Sequence, residues 1–131
     1  MRRLFLILIT ISLLGCYETD RNCNNYKTGT FSFTYTVDGE EKTTRFKRTK
    51  NLNIDFLEKG NDTATIRWIN NCEFIQKAKN PKNNQEEKAV HFKILSTTKD
   101  SYTFEYKLAV KPTNQAHRVE RGTAYKIDWQ W

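Results

Sequence analysis

The stretch Phe31-Ser32-Phe33-Thr34-Tyr35-Thr36-Val37-Asp38-Gly39 decides the fold. Its apolar residues recur at every second position, so Phe31, Phe33, Tyr35 and Val37 share one face of an extended chain, and Ser32, Thr34 and Thr36 the other. Asp38-Gly39 then supplies a two-residue type I′ turn, in which both central residues take positive φ. The chain is expected to fold back over about 41–49, with Thr44, Phe46 and Arg48 opposite Arg45 and Lys47.

The same period runs on down the chain. Leu52, Ile54 and Phe56 mark a third strand, closed by Gly60-Asn61-Asp62. A fourth spans 63–69, with Ala64, Ile66 and Trp68 on one face, and Asn70-Asn71 turns it into a fifth over 72–78. Residues 79–87 are polar, carry Pro81 and show no period, which predicts a loop. Val90, Phe92 and Ile94 alternate with His91 and Lys93 in a sixth strand, and Lys99-Asp100 leads into the cleanest alternation, Tyr102, Phe104, Tyr106, Leu108 and Val110. After a second loop at 112–119, a last strand runs from Glu120 to about Trp129. Composition agrees: beyond residue 15 there are 14 Ile, Leu and Val, 16 aromatics and 15 Thr, a mixture that favours strands over helices. About eight strands at such spacing predict an all-β single domain over 27–131. Short hairpins without a long crossover favour a small antiparallel meander barrel, lipocalin-like, over an open β-sandwich.

The first 15 residues follow other rules. Arg2 and Arg3 precede an apolar run from Leu4 to Leu14. That run is too short for a bilayer-spanning helix, which needs roughly 20 residues, and fits a signal peptide. Its end, Leu13-Leu14-Gly15-Cys16, resembles the lipobox of bacterial lipoproteins, which implies acylation at Cys16 and a membrane anchor. Residues 16–26 then read as the lipidated Cys and a polar tether. Tyr17 stands where Asp would imply inner-membrane retention by resemblance to enterobacterial lipoproteins, so the outer membrane is the expected address.

With Cys16 acylated, Cys23 and Cys72 remain. Export places them in an oxidising compartment, where a pair normally forms a disulfide; closing a loop of about 50 residues contributes roughly 4 kcal/mol in the chain-entropy account. Two free thiols or a redox pair are the alternatives, and the chain has no Cys-x-x-Cys.

The lipobox, Arg21-Asn22-Cys23, Lys27-Thr28-Gly29-Thr30-Phe31, Ile66-Arg67-Trp68-Ile69-Asn70-Asn71-Cys72-Glu73 and Thr103-Phe104-Glu105-Tyr106 together resemble a group of short lipoproteins from Bacteroidetes-type bacteria. The resemblance spans nearly the whole chain after the leader and implies no activity and no functional residues. Some members carry the label "DNA topoisomerase IV", which this chain contradicts: an ATP site, a metal-binding carboxylate cluster and a gated assembly cannot be built from so few exported residues.

Chemistry-bearing patterns are sparse. There is no Gly-x-Ser-x-Gly, no phosphate-binding loop and no His-Glu-x-x-His. His91 reads as a solvent-facing strand residue, and His117 lies beside Arg118, which repels a divalent cation. The pairs Glu40-Glu41 and Glu86-Glu87 are adjacent, so on strands they point apart. No metal, no cofactor and no enzyme activity are expected. The net charge of +7 falls to +5 without Arg2 and Arg3, and its visible centre is Lys42, Arg45 and Lys47, with Arg48 and Lys50. At this address nucleic acid is a poor partner and lipid headgroups or other anionic envelope components fit such a patch better, while the plainer reading is a solvated barrel exterior that blunts strand edges. Arg67, Trp68 and Gln76, gathered around the Asn70-Asn71 turn, form the candidate ligand site. A two-residue turn would pair Arg67 with Phe74 and place Arg67 inside the barrel to hold an anionic group, or clamp it to Glu73. The expected function is therefore a non-catalytic barrel holding a small apolar or amphipathic ligand, or a solid barrel serving as an accessory subunit or inhibitor through its surface against an envelope protein.

Overall fold

The computed structural model describes residues 21–129, so the expected signal peptide and the expected acylation at Cys16 lie outside the described residues. Eight antiparallel strands follow one another around a closed barrel: β1 Gly29–Val37, β2 Glu40–Arg48, β3 Leu52–Leu57, β4 Gly60–Trp68, β5 Glu73–Ala78, β6 Val90–Thr97, β7 Ser101–Leu108 and β8 Glu120–Lys126. Each strand pairs with its neighbour in sequence, and β8 returns to β1 through Phe31↔Lys126 and Phe33↔Ala124. The meander barrel expected from the period-two pattern is the fold, and the sandwich is not. Closure uses only residues between Gly29 and Lys126.

The opening hairpin turns as its sequence dictates, with Asp38 at φ 52° and Gly39 at φ 80°. Its upper part outruns the barrel wall. β1 meets β8 only over Phe31–Phe33, and β2 meets β3 only over Arg45–Arg48, so residues 34–43 pair with each other alone. They form a projecting two-stranded ribbon.

One end of the barrel is sealed. Cys23–Tyr26, expected as the end of a tether, instead form a 3-10 turn whose Cys23 and Tyr26 are buried in the core. The Cys23–Cys72 disulfide, with Cα atoms 5.3 Å apart, fixes this turn to the loop between β4 and β5. Tyr26 donates a 2.6 Å hydrogen bond to the Thr98 carbonyl and packs on Phe31 and Tyr102. Phe31, Phe46, Ile94, Tyr102, Phe104 and Ala124 complete this floor. β8 crosses the aromatic wall at Gly122, where a Cβ would collide with the Phe33 ring; a side chain there would overpack the barrel.

The third strand departs from the sequence reading. Phe46 pairs with Asp55 and Arg48 with Asn53, so Asn53 and Asp55 face inward, and Leu52, Ile54 and Phe56 face outward. The register follows from the tight connection after β2, where the Leu52 N–H donates to Thr49 Oγ1 and the Thr49 N–H to the Leu52 carbonyl. The displaced apolar residues are not left bare. Phe56 meets Trp129 edge-on at 5.3 Å, and the Arg45 guanidinium lies 5.1 Å from the same indole.

Candidate functional site

Alternation on β2 puts Arg48 inside, and its surroundings make it the chemical centre of the lumen. Only 4% of Arg48 is exposed. Nη1 donates to the Tyr26 carbonyl at 3.0 Å and Nη2 to Tyr102 Oη at 2.8 Å. The guanidinium also lies 4.7 Å from the Phe74 centroid and 5.4 Å from those of Phe31, Phe46 and Tyr102. Ring faces and two hydrogen bonds offset part of the desolvation of this cation. Among the described residues no carboxylate comes within ion-pair distance of it, and its Nε has no hydrogen-bond partner.

Above this floor lies a cavity of about 190 Å³. Aromatic walls come from Phe33, Phe46, Phe92, Phe104 and Tyr106, and polar groups from Arg48, Thr44, Asn53, Asp55 and Gln76. Thr44 Oγ1 is buried without a partner, as Arg48 Nε is. Two unpartnered polar atoms around one apolar space are unusual, because buried polar groups are nearly always hydrogen-bonded. Asp55 adds a third feature. Burial penalises its charged form and pushes the carboxyl up from 3.8 to about 6, aided by Asp62, while a hydrogen bond from Asn53 and the charge of Arg48 pull it back. Asp62 stands directly across from it on β4.

The cavity widens upward into a groove of about 540 Å³ that shares Asp55 and Gln76 with it. The β3–β4 hairpin contributes Leu57 and Lys59 to this groove, and the loop before β6 contributes Lys82, Glu86 and Lys88. Lys82 pairs with Asp62 across it at 3.8 Å. The mouth is thus polar and of mixed charge, and the interior is aromatic.

The residues expected to bind ligand separate. Gln76 lines the cavity. Trp68 faces inward but belongs to the floor, 4.7 Å from the Phe74 ring centroid with Lys27 Nζ 5.0 Å from its indole. Arg67 does not reach the interior. It pairs with Ile75 and is exposed, because Ile69–Cys72 form a four-residue connection in place of the two-residue turn. That longer loop is held by Asn70, whose Oδ1 accepts from the Cys72 N–H and whose Nδ2 donates to Glu73 Oε2 at 2.6 Å. The extra length shifts the register by one residue, which turns Arg67 to the other face. Nor does Arg67 clamp Glu73: that carboxylate is 3.1 Å from His91 Nε2, and the hydrogen bond from Asn70 holds it below the usual carboxylate range.

The basic patch divides as well. Arg45 and Lys47 face outward beside Phe56 and Ile54, as the alternation requires, whereas Lys42 sits opposite Tyr35 on the projecting ribbon. His91 is largely covered on the barrel's outer wall, and His117 Nε2 lies 2.7 Å from the Leu108 carbonyl. Sequence reading missed Arg48 as a site residue, although it already shared an inward face with Thr44 and Phe46. It missed Asn53 and Asp55 because the apolar neighbours Leu52, Ile54 and Phe56 suggested the opposite phase.

Known protein families, curated proteins and solved structures give no match to this chain. The site is read from its own chemistry.

Proposed function

We propose that this protein is a non-catalytic, lipid-anchored envelope protein whose barrel holds a small amphipathic molecule. The cavity carries the reading: an aromatic space of about 190 Å³ lined by Arg48 and Thr44, whose Nε and Oγ1 are buried without partners. A cavity near 150 Å³ is enough to take up benzene, so this one suits a ring or short chain bearing a polar group. The signal-peptide pattern and the lipobox ending at Cys16 support the anchor and the outer-membrane address. Export and a sealed floor suit a carrier or sensor that meets its ligand outside the cytoplasm.

Native mass spectrometry of the exported domain from Tyr17 onward tests the reading. The expected result is a small-mass adduct, lost on denaturation and absent from a Thr44→Leu variant that fills the cavity. A bare protein under gentle conditions, together with unchanged thermal stability in the filled variant, would overturn it. The projecting ribbon favours a second reading, an accessory subunit acting through its surface, because residues 34–43 present backbone edges paired with no third strand. A second polypeptide retained in the same spectrum is the result that reading expects.

A further inference from the structure

We propose that the lumen binds a small organic carboxylate head-first, its carboxylate paired with the Arg48 guanidinium at the floor and its apolar part lying among Phe33, Phe92, Phe104 and Tyr106. The inference rests on the ligand-binding reading above and adds the chemical class and orientation of the occupant.

Charge selects the head group. Arg48 is a nearly dry cation with no carboxylate within ion-pair distance among the described residues. A neutral occupant leaves the guanidinium with only the longer-range charge of Asp55, whereas a carboxylate makes a charge-assisted bond to it, roughly twice as strong as a neutral one. Thr44, also lining the cavity, brings the unpartnered hydroxyl that a second carboxylate oxygen requires.

Shape selects the rest. The floor beneath Arg48 is filled by Tyr26, Phe31, Phe74 and Tyr102, so the occupant cannot extend past the guanidinium. Its apolar part must rise along the aromatic wall toward the mouth. Asp55 opposes this arrangement when ionised, since it lines the same cavity.

The test is titration calorimetry at pH 7.5 on the domain from Tyr17 onward, which contains the whole strand ladder and both bridged cysteines. The probes are benzoate and hexanoate against benzyl alcohol and hexanol. The carboxylates are expected to bind at least about tenfold more tightly than the matched alcohols. Arg48→Met should abolish that preference. Because losing Arg48 can also unfold the floor, Asp55→Asn provides an independent arm: carboxylate affinity should rise roughly fivefold as the repulsion is removed, with alcohol affinity unchanged. Equal binding of acids and alcohols, or an Asp55→Asn effect on both alike, would overturn the carboxylate assignment while leaving the ligand-binding reading intact. Failure of all four probes, together with a bare native mass spectrum, would sink both.

Discussion

The floor of the barrel and its rim are built by the same alternation and end in opposite states. At the floor, Tyr26, Phe31, Phe74, Ile94 and Tyr102 are each 2% exposed or less. At the rim, Tyr35 and Leu57 occupy inward positions on the same strands as Phe31 and Asn53, yet are 37% and 46% exposed. Periodicity chooses which face looks inward; closure decides whether that face is dry. The floor has a plug, the turn Cys23–Tyr26 bolted through Cys72. The rim has only hairpins and the loops that precede β6 and β8. Between them lies a band where Thr44, Asp55 and Gln76 line the cavity that apolar side chains would otherwise fill. The division assigns stability to one half of the barrel and leaves the other free to be hollow.

That contrast can be broken from the floor upward. Phe74→Ala, at a position 1% exposed, should cost roughly 3–5 kcal/mol by denaturant unfolding, since the cavity it leaves cannot collapse between Trp68 and Phe92. Replacing Cys23 and Cys72 together by Ser should cost roughly 2–4 kcal/mol and free the 3-10 turn, seen as faster amide exchange at Tyr26 and Tyr102. The cavity band should respond with the opposite sign. Because folding lifts the Asp55 carboxyl to about 6 from 3.8, the folded protein holds that proton more tightly than the unfolded chain. Stability should therefore fall as pH rises from about 4 to about 6 and level off above. Asp55→Asn should remove that slope and raise stability at pH 7.5 by roughly 2–3 kcal/mol, measured by thermal melts across the range. Tyr35→Ala on the ribbon should change stability by no more than about 0.5 kcal/mol. A larger loss there would show the ribbon folded onto the barrel in solution.

How far the sequence foretold this depends on what each residue's position rests on. Local signals read correctly: Asp38-Gly39 fixed the first hairpin, and Tyr102, Phe104 and Tyr106 revealed both strand and face. The bridge between Cys23 and Cys72 was also expected, from the cysteine count and an export-like leader. Two sites depended on register, which local signals do not set. Ile69–Cys72 has two consecutive Asn and reads as a tight turn, but the Asn70 side chain bonds the Cys72 amide and builds a longer loop, moving Arg67 outward. On β3 the tight Thr49–Leu52 connection sets the phase and Trp129, more than seventy positions away in sequence, covers the outward Phe56, so a hydrophobic period pointed to the wrong face. Arg48 lay in plain view on an inward face, but a cluster of five cations suggested solvent. What the sequence could not supply was the ring of Phe31, Phe46, Phe74 and Tyr102, drawn from four strands, that makes a dry guanidinium tolerable.

The plug also gives the barrel a direction. Asn22, at the start of the described residues, donates its N–H to Thr97 Oγ1 beside the sealed floor. Strands of up to nine residues, at roughly 3.3 Å per residue, separate that floor from the mouth. The described chain therefore starts at the closed end of the barrel, and the mouth of the cavity opens at the other.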